Sequence, residues 1–441
     1  MADAARLAAY DVLRAVRVDD AYANLVLPQL LGQHRLTGRD AAFATELASG
    51  TLRRQGSYDA VIDACLDRGS VQPRVRDVLR LGAHQLLAMR VGDHAAVSAT
   101  VDLARARGGP RSPGLVNAVL RRIAATDLVT WLDRVAPDAA SDPVGHAAVV
   151  HSHPRWVVEA FADALGDRRA ELPDLLAADN EAPRVVLVAR PGRSEVSELP
   201  GEPTPYSPYG VVMSGGAPGA VAAVADGRAG VQDEGSQLVA LALAAAEVDG
   251  EDARWLDLCA GPGGKAALLA AIAAGRGARL VANELQPHRA ELVTRSLADA
   301  DGVEAVTTHD GTRPPWPAGS FDRVLVDAPC SGLGALRRRP EARWRRQPAD
   351  LGELVPLQRS LLGAAVDLVR PGGVVLYATC SPMVAETSDI VTAVLAARDD
   401  VRLEPVPIDV PDGGATLAGT AQLWPHRHRT DAMFLGLLRR M

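Results

Sequence analysis

Three of the four cysteines in this 441-residue chain lie in short turns that directly follow apolar runs: Cys259 in LDLCAGPGGK, Cys330 in VLVDAPCSG and Cys380 in VLYATCSP. Ligands of an open α/β sheet bind at the carboxyl ends of its strands, so such turns can present sulfur to one crevice. An acid, Asp327, precedes Cys330 in the same turn. One acid and two thiols meet the demands of methylation at carbon 5 of a cytosine. That carbon is a poor nucleophile, and a thiolate adding to carbon 6 converts the ring to an enamine that can attack an electrophilic methyl. A carboxylic acid of raised pKa can stabilise charge developing at ring nitrogen 3. A base must then take the carbon-5 proton before the thiol departs. The fourth cysteine, Cys65, lies in an apolar N-terminal segment and reads as core.

LDLCAGPGGK reads as a strand ending in a glycine turn that opens a helix. Glycines there let the backbone approach a ligand closely, and the helix start offers unpaired N–H groups. The GxGxxG and GxxxxGK[ST] spacings of dinucleotide and phosphate loops are missing. The next strand ends in Glu284, about 20 residues on, where an acid suits a ribose diol. Asp310, after the third strand, suits an adenine amino group. These strand ends point to S-adenosyl-L-methionine at the turn Cys259, Ala260, Gly261, Pro262, Gly263, Gly264 and Lys265, with Glu284 and Asp310. Among 47 Lys and Arg residues Lys265 alone is Lys. A compact ammonium on a flexible stem does what a guanidinium cannot copy.

The elements that position these groups follow from periodicity. Residues 1–135 read as helical: Leu7, Tyr10, Leu13 and Val16 recur at helical spacing, with further patterns at 43–52, 75–89 and 115–123. Residues 139–235 weaken into a connector or small RNA-binding subdomain, with a strand at 183–188 and a Pro/Gly/Ser-rich stretch after it. From 236 apolar runs at 254–259, 278–283, 303–308, 321–327, 373–379, 401–406 and 433–440 alternate with helical patterns. Alternation of that kind indicates an α/β domain with a doubly wound, mostly parallel sheet. The expected division is therefore 1–138, 139–235 and 236–441.

Composition narrows the class. With 48% hydrophobic and 23% charged residues the chain is an ordinary globular protein, and no run of about 18 apolar residues predicts a membrane span. No signal-peptide core opens it, and the four cysteines form neither a disulfide framework nor a zinc spacing. A cytoplasmic protein with reduced thiols and no metal is expected. Net charge is −7, yet residues 1–140 carry 18 Arg against 15 acidic residues. The run LRRRPEARWRR at 336–346 suits phosphate contact and base stacking. A weaker basic patch is His426, Arg427, His428 and Arg429, while His151 and His153 read as residues at a helix start.

With these motifs in view, the chain resembles the RsmB (Sun) type of bacterial small-subunit ribosomal RNA cytosine-5 methyltransferase. LDLCAGPGGK, VDAPCSG and YATCSP look like that family's cofactor, proline-cysteine and threonine-cysteine motifs. VQDEGSQLVA (231–240) resembles the segment leading into its catalytic domain, and LWPHRHRTDAMF its closing strand. FATELASGTLRR and LVNAVLRRI look like its NusB-like helical RNA-binding domain. The resemblance implies a class I, Rossmann-like methyltransferase domain preceded by an all-α bundle. It implies Cys380 as nucleophile, Cys330 assisting product release and Asp327 contacting the base near the cofactor. The partner implied is 16S ribosomal RNA or an early small-subunit particle, met by a monomer. Ala266 after the Lys, AspAlaMetPhe near the end and ValAlaArgPro at 188–191 depart from the family pattern. Rival readings are a cytosine-5 enzyme acting on tRNA, a DNA cytosine-5 enzyme with Cys330 as nucleophile, a nitrogen methyltransferase, and a non-catalytic RNA-binding scaffold.

Overall fold

The computed structural model describes residues 2–67 and 69–441, which divide into two compact units. Unit 1 comprises Met1–Ala162, Asp167–Ala182 and Leu336–Arg345, and its described residues contain helices and no strand. The first helix, Ala4–Val18, starts at Asp3, whose carboxylate accepts the Arg6 N–H. Its Tyr10 and Leu13 enter a core with Leu47, Tyr58, Ile62, Leu79, Leu81 and Leu103, while Leu7 and Val16 pack at the margin. Helices Gly38–Arg53, Pro73–Leu87 and Ser112–Ile123 carry the three other patterns expected in this region. Cys65 is buried in the same core.

The arginine-rich run corrects one expectation. From Leu336 to Arg345 it is part of unit 1, and Arg343 is 0% exposed. Its guanidinium donates to the carbonyls of Arg53, Ser152 and Asp179 at 3.2, 3.0 and 3.1 Å, and to Asn180 Oδ1 at 2.8 Å. These carbonyls lie at or just past the ends of helices Gly38–Arg53, Pro143–Val150 and Leu172–Ala178. Helix carboxyl ends leave carbonyls without partners and carry partial negative charge, so one cation satisfies three of them. Arg345 pairs with Asp20, and Arg339 and Arg345 lie over the Tyr22 ring. Internal acceptors, rather than phosphates, engage these side chains. His153 is buried too, ahead of helix Arg155–Leu165, and His151 caps the helix before it.

Unit 2 holds Asp163–Gly166, Pro183–Ala335 and Arg346–Met441. The segment read as a connector is thus divided: 139–162 and Asp167–Ala182 fall in unit 1, while Asp163–Gly166 and its strands fall in unit 2. Strands β1 (Val186–Ala189), β2 (Gly201–Pro203), β3 (Gly210–Met213) and β4 (Ala229–Val231) form an antiparallel sheet in the order β2-β3-β1-β4. Arg190, in the divergent ValAlaArgPro stretch, is buried there and donates to the carbonyls of Gly227 and Ser296.

The larger sheet contains β5 (Arg254–Asp257), β6 (Arg279–Asn283), β7 (Val303–Thr307), β8 (Phe321–Asp327), β9 (Val369–Thr379), β10 (Val401–Glu404), β11 (Ala421–Gln422) and β12 (Phe434–Arg440). Its order is β10-β12-β9-β8-β5-β6-β7, with β11 beside β12. β5 to β9 pair in parallel and β12 runs antiparallel to β9 and β10. Helices Glu234–Ala245 and Gly264–Gly275 cover one face with Trp255, Leu280 and Leu376; Leu351–Leu368 and Ser388–Ala397 cover the other with Leu256, Val324 and Tyr377. Burial on both faces explains why the central strands β8, β9 and β12 read as largely apolar runs. This is the Rossmann-like architecture expected for the C-terminal domain. No described helix is long and apolar enough to cross a membrane.

Candidate active site

Strand order reverses between β5 and β8, since β6 and β7 extend to one side and β9 to the other. Loops leaving the carboxyl ends at such a reversal part to form a crevice. Cys259, Cys330 and Cys380 follow the ends of β5, β8 and β9. β8 and β9 are parallel neighbours with Asp327 opposite Ala378, so the last two turns leave the sheet side by side. The sulfurs of Cys330 and Cys380 stand 3.4 Å apart. The Gly334 N–H donates to the Cys380 carbonyl at 2.9 Å and Gln358 Nε2 to the Pro329 carbonyl at 2.8 Å, which restrains both turns.

Lys265, in the first turn of helix Gly264–Gly275, donates to Asp327 Oδ2 at 2.8 Å and to Ser236 Oγ at 3.3 Å. Burial opposes its charge, but Asp327, with Cys380 and Asp257 behind it, keeps the ammonium above its ordinary pKa. An acid of raised pKa stands beside Asp327, at the end of the neighbouring strand β5. Asp327 is ion-paired to Lys265, while Asp257 at the end of β5 is pushed up to about 8 by burial and by the charge of Asp327. One ammonium serves two neighbouring carboxyls, and the more deeply buried one keeps its proton.

The three thiols are not equivalent. Cys259 packs against the core and burial pushes its thiol well up, so its part in the turn is played by backbone. The Cys330 thiol is raised well above the usual range by its hydrogen bond to Cys380, by burial, and by the charges of Cys380 and Glu386.

The glycine turn is built for close approach. Gly263 has φ +112°, and a Cβ there would lie 2.6 Å from that of Ser296. A Cβ on Gly261 would lie 2.1 Å from Glu284 Oε2, which accepts the Gly261 N–H at 3.1 Å. Glu284 Oε1 accepts the Gln286 N–H at 3.0 Å, and Arg289 binds the Gly261 carbonyl. Ala260 and Pro262 complete the turn, the latter through a cis peptide bond. Asp310 is exposed beyond β7 and accepts from the N–H and hydroxyl of Thr312.

Sequence reasoning passed over several groups. Gln232, 7% exposed, lies beside Gly264, and both its amide atoms lack a hydrogen-bond partner, as does Asp257 Oδ2. An amide and a carboxyl held ready beside a glycine cradle fit a ligand that carries amino, carboxylate and ribose groups, as S-adenosylmethionine does. The signal for Asp257 was present, because it ends an apolar run as Asp327 does. Gln232 and Ser236 lie within the VQDEGSQLVA segment, which reads as a lead-in and not as a site, and nothing in the local pattern marked Gln358 or Glu386. Among the described residues no cluster of His, Cys, Asp and Glu could hold a metal, and His428 of the basic patch is buried, bonded to the Trp424 N–H and the Pro411 carbonyl.

The Asp257 carboxyl predicts a pH dependence. Its folded pKa lies above its unfolded one, so its stabilising contribution is complete below about pH 4 and is lost as pH rises towards 8. Asp257→Asn should therefore gain on the order of 2 kcal/mol over the parent between pH 6 and 8.5. Thermal melts at the two pH values measure it, and a constant difference would refute it.

Two family models match the chain: 16S rRNA methyltransferase RsmB/F over residues 242–439, and the NusB family over residues 3–125. "Putative methyltransferase Rv1407" of Mycobacterium tuberculosis is 54% identical across 100% of this chain and 97% of its own. The ribosomal RNA small subunit methyltransferase B of Salmonella newport is 33% identical, covering 90% of this chain and 91% of its own. Among solved structures, PH0851 superposes with a TM-score of 0.80 at 22% identity, over 98% of both chains.

Proposed function

The chain belongs to the RsmB/F family of 16S rRNA methyltransferases, and from that premise we propose that it methylates carbon 5 of a cytidine in small-subunit ribosomal RNA through a covalent Cys380–cytosine intermediate. Family membership makes it an S-adenosylmethionine-dependent RNA methyltransferase. The base, the attacked carbon and the residue roles are our reading.

In that reading the Cys380 sulfur, as thiolate, forms a bond to cytosine carbon 6, and the electron pair moves to carbon 5. Residues 259–265, Glu284, Asp310 and Gln232 would hold S-adenosylmethionine, whose sulfonium would supply the methyl to carbon 5 and leave as the neutral thioether S-adenosylhomocysteine. The Lys265–Asp327 pair offers a donor and an acceptor to the polar edge of the ring, steadying the charge displaced by the thiolate. Loss of the carbon-5 proton to a base then expels Cys380, with Cys330 assisting release of the product. The target base must be unstacked, since carbon 6 is out of reach inside a duplex. Residues 1–138, matched by the NusB family model, are proposed to bind the RNA, 16S rRNA free or in an early particle, as a monomer; residues 139–235 would assist and 236–441 would carry the chemistry.

The observation that carries the proposal is the 3.4 Å approach of two thiols at adjacent strand ends. Incubation with small-subunit RNA and a methyl-labelled donor, followed by digestion to nucleosides, tests it. Label in 5-methylcytidine is expected; label on an exocyclic nitrogen, or none, would overturn it.

A further inference from the structure

Glu386 sits in a short turn between β9 and helix Ser388–Ala397, is 0% exposed, and lies outside every motif described above. Four donors converge on its carboxylate. Oε1 accepts the Ser331 N–H at 2.7 Å and Gln358 Nε2 at 3.0 Å. Oε2 accepts the hydroxyls of Ser331 and Ser381 at 2.5 and 2.6 Å. The two serines are the residues immediately following Cys330 and Cys380. The backbone that carries the carboxylate is itself anchored, because the Tyr377 hydroxyl donates to the Glu386 main-chain carbonyl at 2.8 Å.

We propose that Glu386 is a positioning residue that ties the two cysteine-bearing turns to one carboxylate and so sets the approach of the two thiols. The inference rests on the cysteine chemistry proposed above, but its geometric content stands apart from it. The Gly334 N–H on the Cys380 carbonyl also joins the two loops, but it lies away from the sulfurs' own neighbours, and a misplacement of about 1 Å at a reacting group can cost roughly a hundredfold in rate. A buried carboxylate is retained where its charge-assisted hydrogen bonds repay its desolvation, and four donors on two oxygens do so.

The test reads proximity without using methyl transfer. Diamide, which takes one hydrogen from each thiol as the disulfide forms, is added to the full chain, and mass spectrometry follows the Cys330–Cys380 bridge. The parent should cross-link readily and Glu386→Ala at least tenfold more slowly. Glu386→Gln should recover most of the parental rate, since its amide still accepts at one end while the serine hydroxyls turn to accept at the other. If the alanine variant does not fold, the Ser331→Ala/Ser381→Ala pair replaces it and should slow the bridge similarly. Unchanged cross-linking in whichever of these variants folds would overturn the proposal. A parent that cross-links but fails to make 5-methylcytidine would instead sink the functional reading and leave the tether standing.

Discussion

Cys380→Ala is expected to lower methylation by at least about four orders of magnitude, roughly 5 kcal/mol of barrier, and to leave no covalent complex on RNA bearing 5-fluorocytidine. Fluorine cannot leave carbon 5 as a cation, so an adduct made through carbon 6 stays on the protein. Cys330→Ala should still form that adduct, because its proposed part comes after bond formation. The asymmetry follows from the surroundings of the two sulfurs. The buried ammonium of Lys265 interacts with Cys380, whereas Cys330 faces Glu386 and its thiol is pushed up. Gel mobility of the denatured complex, with peptide mapping of the linked cysteine, decides the matter. An adduct that survives Cys380→Ala and vanishes in Cys330→Ala would reverse the roles and place the chemistry with the DNA-type enzymes.

Arg343→Met should destabilise unit 1 by about 4 kcal/mol, an unusually large loss for one side chain. The substitution leaves the carbonyls of Arg53, Ser152 and Asp179 and the Asn180 amide oxygen without this donor in a fully buried place. Each buried acceptor stranded in this way costs about 1–3 kcal/mol. Lysine should not rescue it, since a point ammonium with three donors cannot span four separated acceptors. For a unit of this size the shift is about 10 °C in the melting transition. Differential scanning calorimetry of the full chain measures it, and a melting profile with no transition shifted would refute the prediction.

That run illustrates how local reading fails. A stretch of six arginines beside one tryptophan has the composition of a phosphate-binding strip, and composition cannot reveal that helix ends elsewhere in the chain supply its partners. Seven strands of the large sheet were legible, the central ones because burial on both faces prints an apolar run that needs no knowledge of the rest of the chain, whereas the two-residue β11 left no such mark. The small sheet was seen only as one strand and a loop: its β2 and β4 are three residues each, too short for periodicity to register. The glycine turn and the acids at strand ends were legible because their chemistry is written in consecutive residues.

By itself, then, the order of residues determined which groups occupy the carboxyl ends of β5 to β9, since strand endings and turns are local events. Folding decided the partnerships: that Cys330 and Cys380 meet, that Lys265 chooses Asp327, that Asp257 keeps a proton, and that Glu386 joins two turns 50 residues apart. Distances and desolvation arise only when distant segments pack, and they turn a list of acids and thiols into an electrically differentiated site.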